Sequence, residues 1–406
     1  MPLCRVCNTT YEPFINFGPM PIANCFQLPE EQPEEYRFDL TVGVCPKCSM
    51  VQLVDQPEPE RMFHENYAYF SSISRSMAHH FKEFAEMVRT ERLNEPNPFV
   101  VELGSNDGIM LRHFADWGVR HLGVEPSANV AAAAREKGVN TLCAFFNEAT
   151  AQSILAEHGP ADAILAANVM CHIPTLHSVI EGFTTLLKPS GVIMYEDPYL
   201  GDIISRNSYD QIYDEHVFYF SLRSVGELFG MHGFELVDAI PQEVHGGSMR
   251  YVLARKGAHK PTARLQELLE AEGRLNLGTL ATYDAFRGRV ELSRENLVST
   301  LKELKAQGKR VLGYGATSKS TTVLNYCGIG TDLIDFISDT TPTKQGRLTP
   351  GSRIPVRPYA DFQASLPDVA LLFAWNHGKE IIANEHTFQQ GGGKWLLYVP
   401  EVEILS

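Results

Sequence analysis

Two pairs of cysteines constrain this chain more than any other feature. Cys4-x2-Cys7 and Cys45-x2-Cys48 stand with 37 residues between them in a chain of 406. Each x2 turn lets two thiolates face one ion, and two such turns complete a closed tetrahedral S4 site. The spacer is longer than in a short zinc ribbon, so residues 1–60 are expected to form a small zinc-binding domain with strands or a loop of its own. Four thiolates leave no open coordination position, so the expected zinc is structural rather than catalytic. A redox role fits poorly, because redox C-x-x-C motifs follow a strand in a βαβ unit and are not paired in this way. Cys25, Cys143, Cys171 and Cys327 stand alone and are read as core residues.

Composition narrows the class. The formal net charge is −14 and no long basic run exists, which argues against a nucleic-acid partner. No run of 18 apolar residues occurs, so no membrane span is expected. The first residues carry no apolar secretory segment, so a cytoplasmic, reducing location is expected, in which thiols serve as ligands or core. A monomer or weak homodimer is the expected assembly.

Strand and helix patterns alternate from Phe99 onward. Phe99–Leu103, 121–124, 162–167 and 191–196 read as strands, with helices near 109–117, 127–137 and 175–187. That alternation predicts a parallel doubly wound α/β sheet within residues 61–255. Residues 233–255 read as an antiparallel edge hairpin. Residues 261–308 read as a helical connector, and a second strand–glycine–helix unit begins at Lys309. Residues 256–406 are therefore expected to hold the connector and a Rossmann-like α/β domain.

The loop Gly104-Ser105-Asn106-Asp107-Gly108 follows the first strand and opens a helix, as loops that approach a ligand closely do. Glu102 stands where a carboxylate suits a positive group, such as the amino-acid end of S-adenosylmethionine. Glu125 ends the next strand, 21 residues after Gly104, at the spacing of a ribose-binding carboxylate. Asn106 occupies the middle glycine position of a dinucleotide fingerprint, which argues against a nicotinamide dehydrogenase. Asn168 and His172 follow the strand at 162–167, at the carboxyl edge where such sheets bind ligands. Most lone histidines are structural; position raises the functional reading of His172. Tyr209–Ser221 is the densest polar and aromatic cluster, and its Glu215-His216 pair sets a carboxylate beside an imidazole able to exchange protons near neutrality. Sheet capping by these aromatics and a chance Glu-His pair are the alternatives. In Gly313-Tyr314-Gly315-Ala316-Thr317-Ser318-Lys319 the Walker A spacing fails, yet amides at a helix N-terminus and a lysine still favour a diphosphate. Lys344, Arg347 and Arg353 lie in a further loop where most charges are solvated.

The ordered set Cys4-x2-Cys7, Cys45-x2-Cys48, Tyr67-x-Tyr69-Phe70-Ser71-Ser72, Glu102-x-Gly104-Ser105-Asn106-Asp107-Gly108, Asn168-x3-His172-Ile173-Pro174, Tyr213-x-Glu215-His216 and Gly313-Tyr314-Gly315-Ala316-x2-Lys319 resembles the sugar C-methyltransferase family over nearly the whole chain. The resemblance implies S-adenosylmethionine-dependent methylation of a nucleotide-diphospho-4-keto-deoxysugar at the carbon alpha to the ketone, expected at carbon 3. It implies structural Zn2+ on Cys4, Cys7, Cys45 and Cys48. His216 would be the base; Tyr213 and Glu215 would line the sugar and hold that base; Tyr67 and, as second choice, Tyr69 would reach the sugar. Asn168 and His172 would flank the methyl donor and the keto oxygen, beside the donor residues Glu102, Gly104, Ser105, Asn106, Asp107 and Glu125. Tyr314, Ala316, Thr317, Ser318, Lys319 and Asn376 would hold the nucleotide handle. An O- or N-methyltransferase on a similar sheet, and a zinc-ribbon interaction protein with a degenerate sheet, are the rival readings.

Overall fold

The computed structural model describes residues 1–31, 35–58, 62 and 75–405. Tyr67 and Tyr69 lie outside them. Among the described residues no helix is long and apolar enough to cross a membrane.

Strands β1 (Glu12–Pro21), β2 (Arg37–Val44) and β3 (Val51–Leu53) form an antiparallel N-terminal sheet. The middle of the chain supplies β4 (Phe99–Leu103), β5 (Arg120–Val124), β6 (Thr141–Leu142), β7 (Ala161–Ala167), β8 (Leu187–Pro198), β9 (Phe218–Tyr219), β10 (Phe234–Gln242) and β11 (Ser248–Arg255). Seven of these make one sheet in the order β10-β11-β8-β7-β4-β5-β6, parallel except at β11. The eighth, β9, leaves that sheet and pairs with β3 of the N-terminal sheet.

The central strands read as continuous apolar runs because helices cover both faces. Phe99, Val101 and Leu103 of β4 pack into one layer with Ile164, Ile193 and Tyr195. Val100 points the other way, among Ala163, Leu165, Val192 and Met194. The helix Arg75–Arg92 covers this second face with Met77, Phe81, Phe84, Ala85 and Val88, at helical spacing. One of its polar residues is buried as well. His80 Nε2 donates to Glu196 Oε1 at 2.7 Å, and Arg250 Nη2 donates to Glu196 Oε2 at 2.8 Å. This places a satisfied charge cluster at the carboxyl end of β8.

The expected connector is two helices, and neither is a loose linker. Thr262 caps Ala263–Leu275 by accepting from Leu265 N, and left-handed Asn276 (φ 52°) ends it. This helix sits on the seven-stranded sheet's side: Glu272 accepts from Leu222 N, Arg223 N and the Tyr199 hydroxyl. The following helix, Leu280–Ala306, buries Tyr283, Phe286, Val290, Leu297 and Leu301 in a core shared with β1, β2 and the C-terminal sheet. At about 1.5–3 kcal/mol per buried side chain, these five hold the three parts together by on the order of 10 kcal/mol.

The C-terminal unit is a sheet of β12 (Val311–Tyr314), β13 (Ile337–Ser338), β14 (Val356–Arg357), β15 (Val369–Leu372), β16 (Lys394–Leu397) and β17 (Glu403–Leu405). Its order is β14-β13-β12-β15-β16-β17, parallel except at the last strand. A turn at 331–333 precedes β13 and leaves it two residues long. Cys171 and Cys327 are buried as expected, but Cys25 and Cys143 are exposed: both lie in loops, on short connections that cross the surface.

Candidate active site

The metal centre is built by two matching knuckles. Asn8 N donates to Cys4 O and Ser49 N to Cys45 O, and both Asn8 and Ser49 take left-handed backbone (φ 56° and 58°). The turns bring Cys4 Sγ within 3.6 Å of Cys48 Sγ and Cys7 Sγ within 3.4 Å of Cys45 Sγ. All four sulfurs lie within 4.8 Å of one another. A Zn–S bond of about 2.3 Å in a regular tetrahedron separates sulfurs by about 3.8 Å, so the donor set fits zinc. Gln52 Nε2 donates to Cys4 Sγ at 3.1 Å and orients that ligand from outside.

The donor loop opens where β4 ends. Gly104 is left-handed (φ 58°), and a Cβ there would stand 2.3 Å from Val169 Cγ2. Only glycine therefore lets this loop meet the segment after β7. Glu102 is buried, and its Oε2 has no hydrogen-bond partner among the described residues. Burial, with Glu125 and Asp107 adding like charge, pushes its pKa well up. A ligand ammonium is the group that such an orphaned carboxylate lacks. Glu125 is buried too; its oxygens accept from Asn106 N at 3.0 Å and Ser127 N at 2.8 Å. Burial raises its pKa against those two bonds. Each oxygen retains a lone pair for a ribose hydroxyl. Asp107 is tied to Lys137 Nζ at 2.7 Å, and Ser105 packs against Gly123, whose added Cβ would meet Ser105 Oγ at 2.3 Å. Both appear as builders of the loop.

The segment after β7 packs against the Gly104–Gly108 loop. Val169 touches Gly104, and the short helical turn Met170–His172 follows it. His172 stacks on His216, with ring centroids 5.3 Å apart. Burial holds the His172 pKa down to about 4, so its ring is neutral. His216 Nδ1 faces the carbonyl of Gln211 at 2.8 Å, an acceptor only, so Nδ1 carries the proton. Nε2 then presents its lone pair, and the Tyr213 hydroxyl donates to it at 2.8 Å. Burial first, then positive neighbours including Lys319, hold the His216 pKa well below the ordinary imidazole range. Glu215 is buried and accepts from Asn24 Nδ2 at 2.7 Å.

The handle region differs from its expectation in detail. Thr317 caps the helix Ser318–Cys327 by accepting from Ser320 N. Ala316 N is taken by Asp339 Oδ2 at 2.7 Å, so that amide already serves a carboxylate. The Tyr314 hydroxyl donates to Glu385 Oε1 within its own domain. Lys319 is buried; its Nζ donates to the carbonyl of His245 at 3.1 Å and lies 5.1 Å from the Trp375 ring. Asn376 sits on the turn Trp375–His377, beside a hollow of about 470 Å³ lined by Trp375, Ile382, Leu397 and Val399. Lys344, read as solvated, is half-buried, donating to the carbonyl of Ala316 at 2.8 Å, with its ammonium 5.1 Å from the Phe26 ring.

Sequence reasoning missed His245 and Asn24. His245 is left-handed (φ 56°), half-buried, and accepts from Asn168 Nδ2 at 3.3 Å. The adjacent Gly246-Gly247 was its available signal: added Cβ atoms would strike Trp375 at 2.2 Å and Asp202 at 2.3 Å. Asn24 carried no local signal, since its partners Glu215 and Ser318 lie 191 and 294 residues away.

A seven-stranded sheet of this order, with a left-handed glycine loop between two buried carboxylates, defines a class I S-adenosylmethionine-dependent methyltransferase, here joined to a four-cysteine zinc module. Family models match along the chain: a zinc-binding domain over residues 4–63, a methyltransferase domain over 69–239, and a C-methyltransferase C-terminal domain over 243–400. The C-methyltransferase NovU of Streptomyces niveus is 36% identical over 99% of this chain and 96% of its own. The chain belongs to this C-methyltransferase family. Among solved structures, an S-adenosylmethionine-dependent methyltransferase of Anabaena variabilis is 16% identical over 44% of this chain and 85% of its own, with a TM-score of 0.36. Magnesium protoporphyrin IX methyltransferase of Synechocystis PCC 6803 with bound SAM is 14% identical over 48% of this chain and 89% of its own, at 0.34. Family membership rests on the NovU match and not on these two.

Glu125→Ala is expected to weaken S-adenosylmethionine binding by about 1–3 kcal/mol, the usual loss for a charged hydrogen-bond partner. Calorimetric titration checks it; an unchanged dissociation constant assigns the ribose contact to another residue.

Proposed function

We propose that this C-methyltransferase acts on a nucleotide-diphospho-4-keto-deoxysugar, at the carbon alpha to the ketone, carbon 3. The state of His216 supports this most. It is a buried, neutral imidazole with a defined lone pair on Nε2, in contact with His172, which lies three residues after the Val169 that packs on Gly104. Methylating carbon requires a carbanion equivalent, formed by removing the proton alpha to the ketone, which a neutral imidazole can accept.

Bound S-adenosylmethionine supplies an electrophilic methyl group. Glu102, Glu125 and the Gly104–Gly108 loop hold and orient it, with Asn168 closing the far side. His216 Nε2 takes the proton alpha to the ketone, and the Tyr213 hydroxyl, displaced from Nε2, donates to the developing enolate oxygen. Neutral His172 offers a second donor there, since preorganised donors act strongly in a buried site. Alignment of the two reactants contributes much of the rate. Glu215, with Tyr67 by resemblance, lines the sugar, and Tyr69 is second to it. Thr317, Ser318 and buried Lys319 face the diphosphate at the helix N-terminus. Asn376, beside the Trp375 hollow, faces the nucleoside, and Ala316 and Tyr314 shape the loop. A reducing cytoplasm suits the four thiol ligands.

The test incubates the zinc-loaded enzyme with methyl-labelled S-adenosylmethionine and a panel of 4-keto nucleotide sugars, with the corresponding 4-hydroxy sugars as controls. Mass spectrometry is expected to find a carbon-bound methyl group on a keto sugar only. Transfer to oxygen or nitrogen, or equal transfer to the 4-hydroxy controls, overturns the reading.

A further inference from the structure

The segment after β1, Ile22–Gln27, threads between the base region and the C-terminal unit. It is pinned on both sides. Ala23 N donates to Asp214 Oδ1 at 3.0 Å, and the carbonyl of Ala23 accepts from Thr321 Oγ1 at 2.9 Å. Arg347 Nη1 donates to the carbonyl of Phe26, and Gln27 pairs with Leu348 through the backbone. Asn24 sits at the centre of this strap and is exposed. Its Oδ1 accepts from Ser318 Oγ at 2.9 Å, which fixes the amide orientation. Its Nδ2 therefore points a donor at Glu215 Oε1, 2.7 Å away. One side chain thus joins the carboxylate beside the base to the helix N-terminus of the handle region.

We propose that Asn24, delivered by the zinc-binding module, is a positioning residue of the acceptor site that keeps Glu215 an ionised, acceptor-only carboxylate facing a hydroxyl or amine donor on the sugar. This rests on the acceptor reading above. The zinc module then has a second role: it supplies part of the acceptor site as well as stability.

The physical reason lies in what surrounds Glu215. Burial disfavours its charge. Asp214 lies next to it in the chain and is itself buried, with a pKa raised to about 8 by burial and by the Glu215 charge. Neutral His216 follows it, and the thiol of buried Cys171 also feels its charge. Against these stand the Asn24 amide, which lowers the Glu215 pKa most, and the Lys344 ammonium across the cleft. Without the amide the carboxyl protonates more readily and turns from acceptor to donor. Its ionised form is then lost at a higher pH as pH falls.

The test uses the full-length, zinc-loaded enzyme and the variants Asn24→Ala, Asn24→Asp and the amide-retaining Asn24→Gln. The acid limb of kcat/KM against pH is expected to move up by about one unit or more in Asn24→Asp, where a second carboxylate faces Glu215, and by less in Asn24→Ala. Asn24→Gln is expected to recover part of the wild-type limb, with zinc content and S-adenosylmethionine affinity unchanged throughout. A uniform loss of rate at every pH, with the limb unmoved, overturns the proposal, since that is what a structural role produces. A readout free of acceptor separates this failure from that of the proposed function. The infrared band of the protonated Glu215 carboxyl, assigned by its absence in Glu215→Gln, is titrated in the resting enzyme. Its midpoint is expected to rise in Asn24→Ala and further in Asn24→Asp. An unmoved midpoint overturns the role of Asn24 whatever the acceptor is; a raised midpoint in an enzyme inactive on every keto sugar overturns the acceptor reading alone.

Discussion

His216→Asn is expected to bind both substrates and yet lose methyl transfer by about 10²-fold or more, the usual contribution of a general base. The substitution suits the geometry. Asn Nδ2 can still donate toward the carbonyl of Gln211, which now receives the imidazole N–H, so the surrounding loop keeps a partner. What disappears is the Nε2 lone pair to which Tyr213 donates. An acceptor carrying deuterium on the reacting carbon separates this step from binding. Wild-type enzyme is expected to release deuterium to solvent when donor or spent donor is bound, and His216→Asn to release almost none. Release at the wild-type rate would exclude His216 and turn attention to Glu215, Tyr213 or Tyr67.

The same environment sets the pH dependence. A base works only while deprotonated, and burial together with His172, Lys319 and His245 holds the His216 pKa well below the usual imidazole range. The free base is therefore present throughout neutral pH and is lost only as pH falls through that depressed value. Raised carboxyls protonate earlier, and Glu215 beside His216 is one of them, its pKa pushed up by burial. The acid limb of activity is accordingly expected to report carboxyls near the base. Replacing His216 is expected to lower the plateau and leave that limb in place.

Much of this architecture is legible in the sequence where one element speaks for itself. Phe99–Leu103 reads as a buried strand because both of its faces are apolar, and it is β4 to the residue. The hairpin at 233–255 announces itself by its β runs and glycines and becomes β10 and β11. β1 was silent for a physical reason: Glu12–Pro21 carries two internal prolines and a left-handed glycine, and two register shifts absorb them against β2. The site divides along the same line. His216 and Glu215 are titratable neighbours in an aromatic cluster, which sequence displays. Asn24 and Lys344 are ordinary residues whose meaning comes from partners brought by distant strands. A lysine in a loop is usually solvated, and nothing before Lys344 says that Phe26 will lie beneath it. No sequence window holds that information.

Loss of the metal is expected to have the largest effect on stability. Chelation takes the ion away, and Cys45→Ser removes one of four sulfurs that face one another at 3.4–3.6 Å in two pairs. Structural zinc contributes an apparent free energy on the order of 10 kcal/mol in small modules, because the ligands are brought together only by folding around the ion. Here the knuckles are not an isolated module. Cys4, Cys45 and Cys48 pack in the same core layer as Phe218, Phe220 and the central strands. β3, which starts three residues after Cys48, pairs with β9, which starts two residues after His216. Thus the metal holds a strand that in turn holds the one following His216. Metal analysis of freshly purified, unchelated protein is expected to find one zinc per chain, and Cys45→Ser to find far less. Its thermal midpoint is expected to fall steeply, and the activity that remains to follow the fraction folded, with little change per folded molecule at low temperature. Absence of zinc in the wild type would sink the metal assignment. A full-stability Cys45→Ser protein with lost activity would assign the cysteines to chemistry, which a closed S4 centre does not offer.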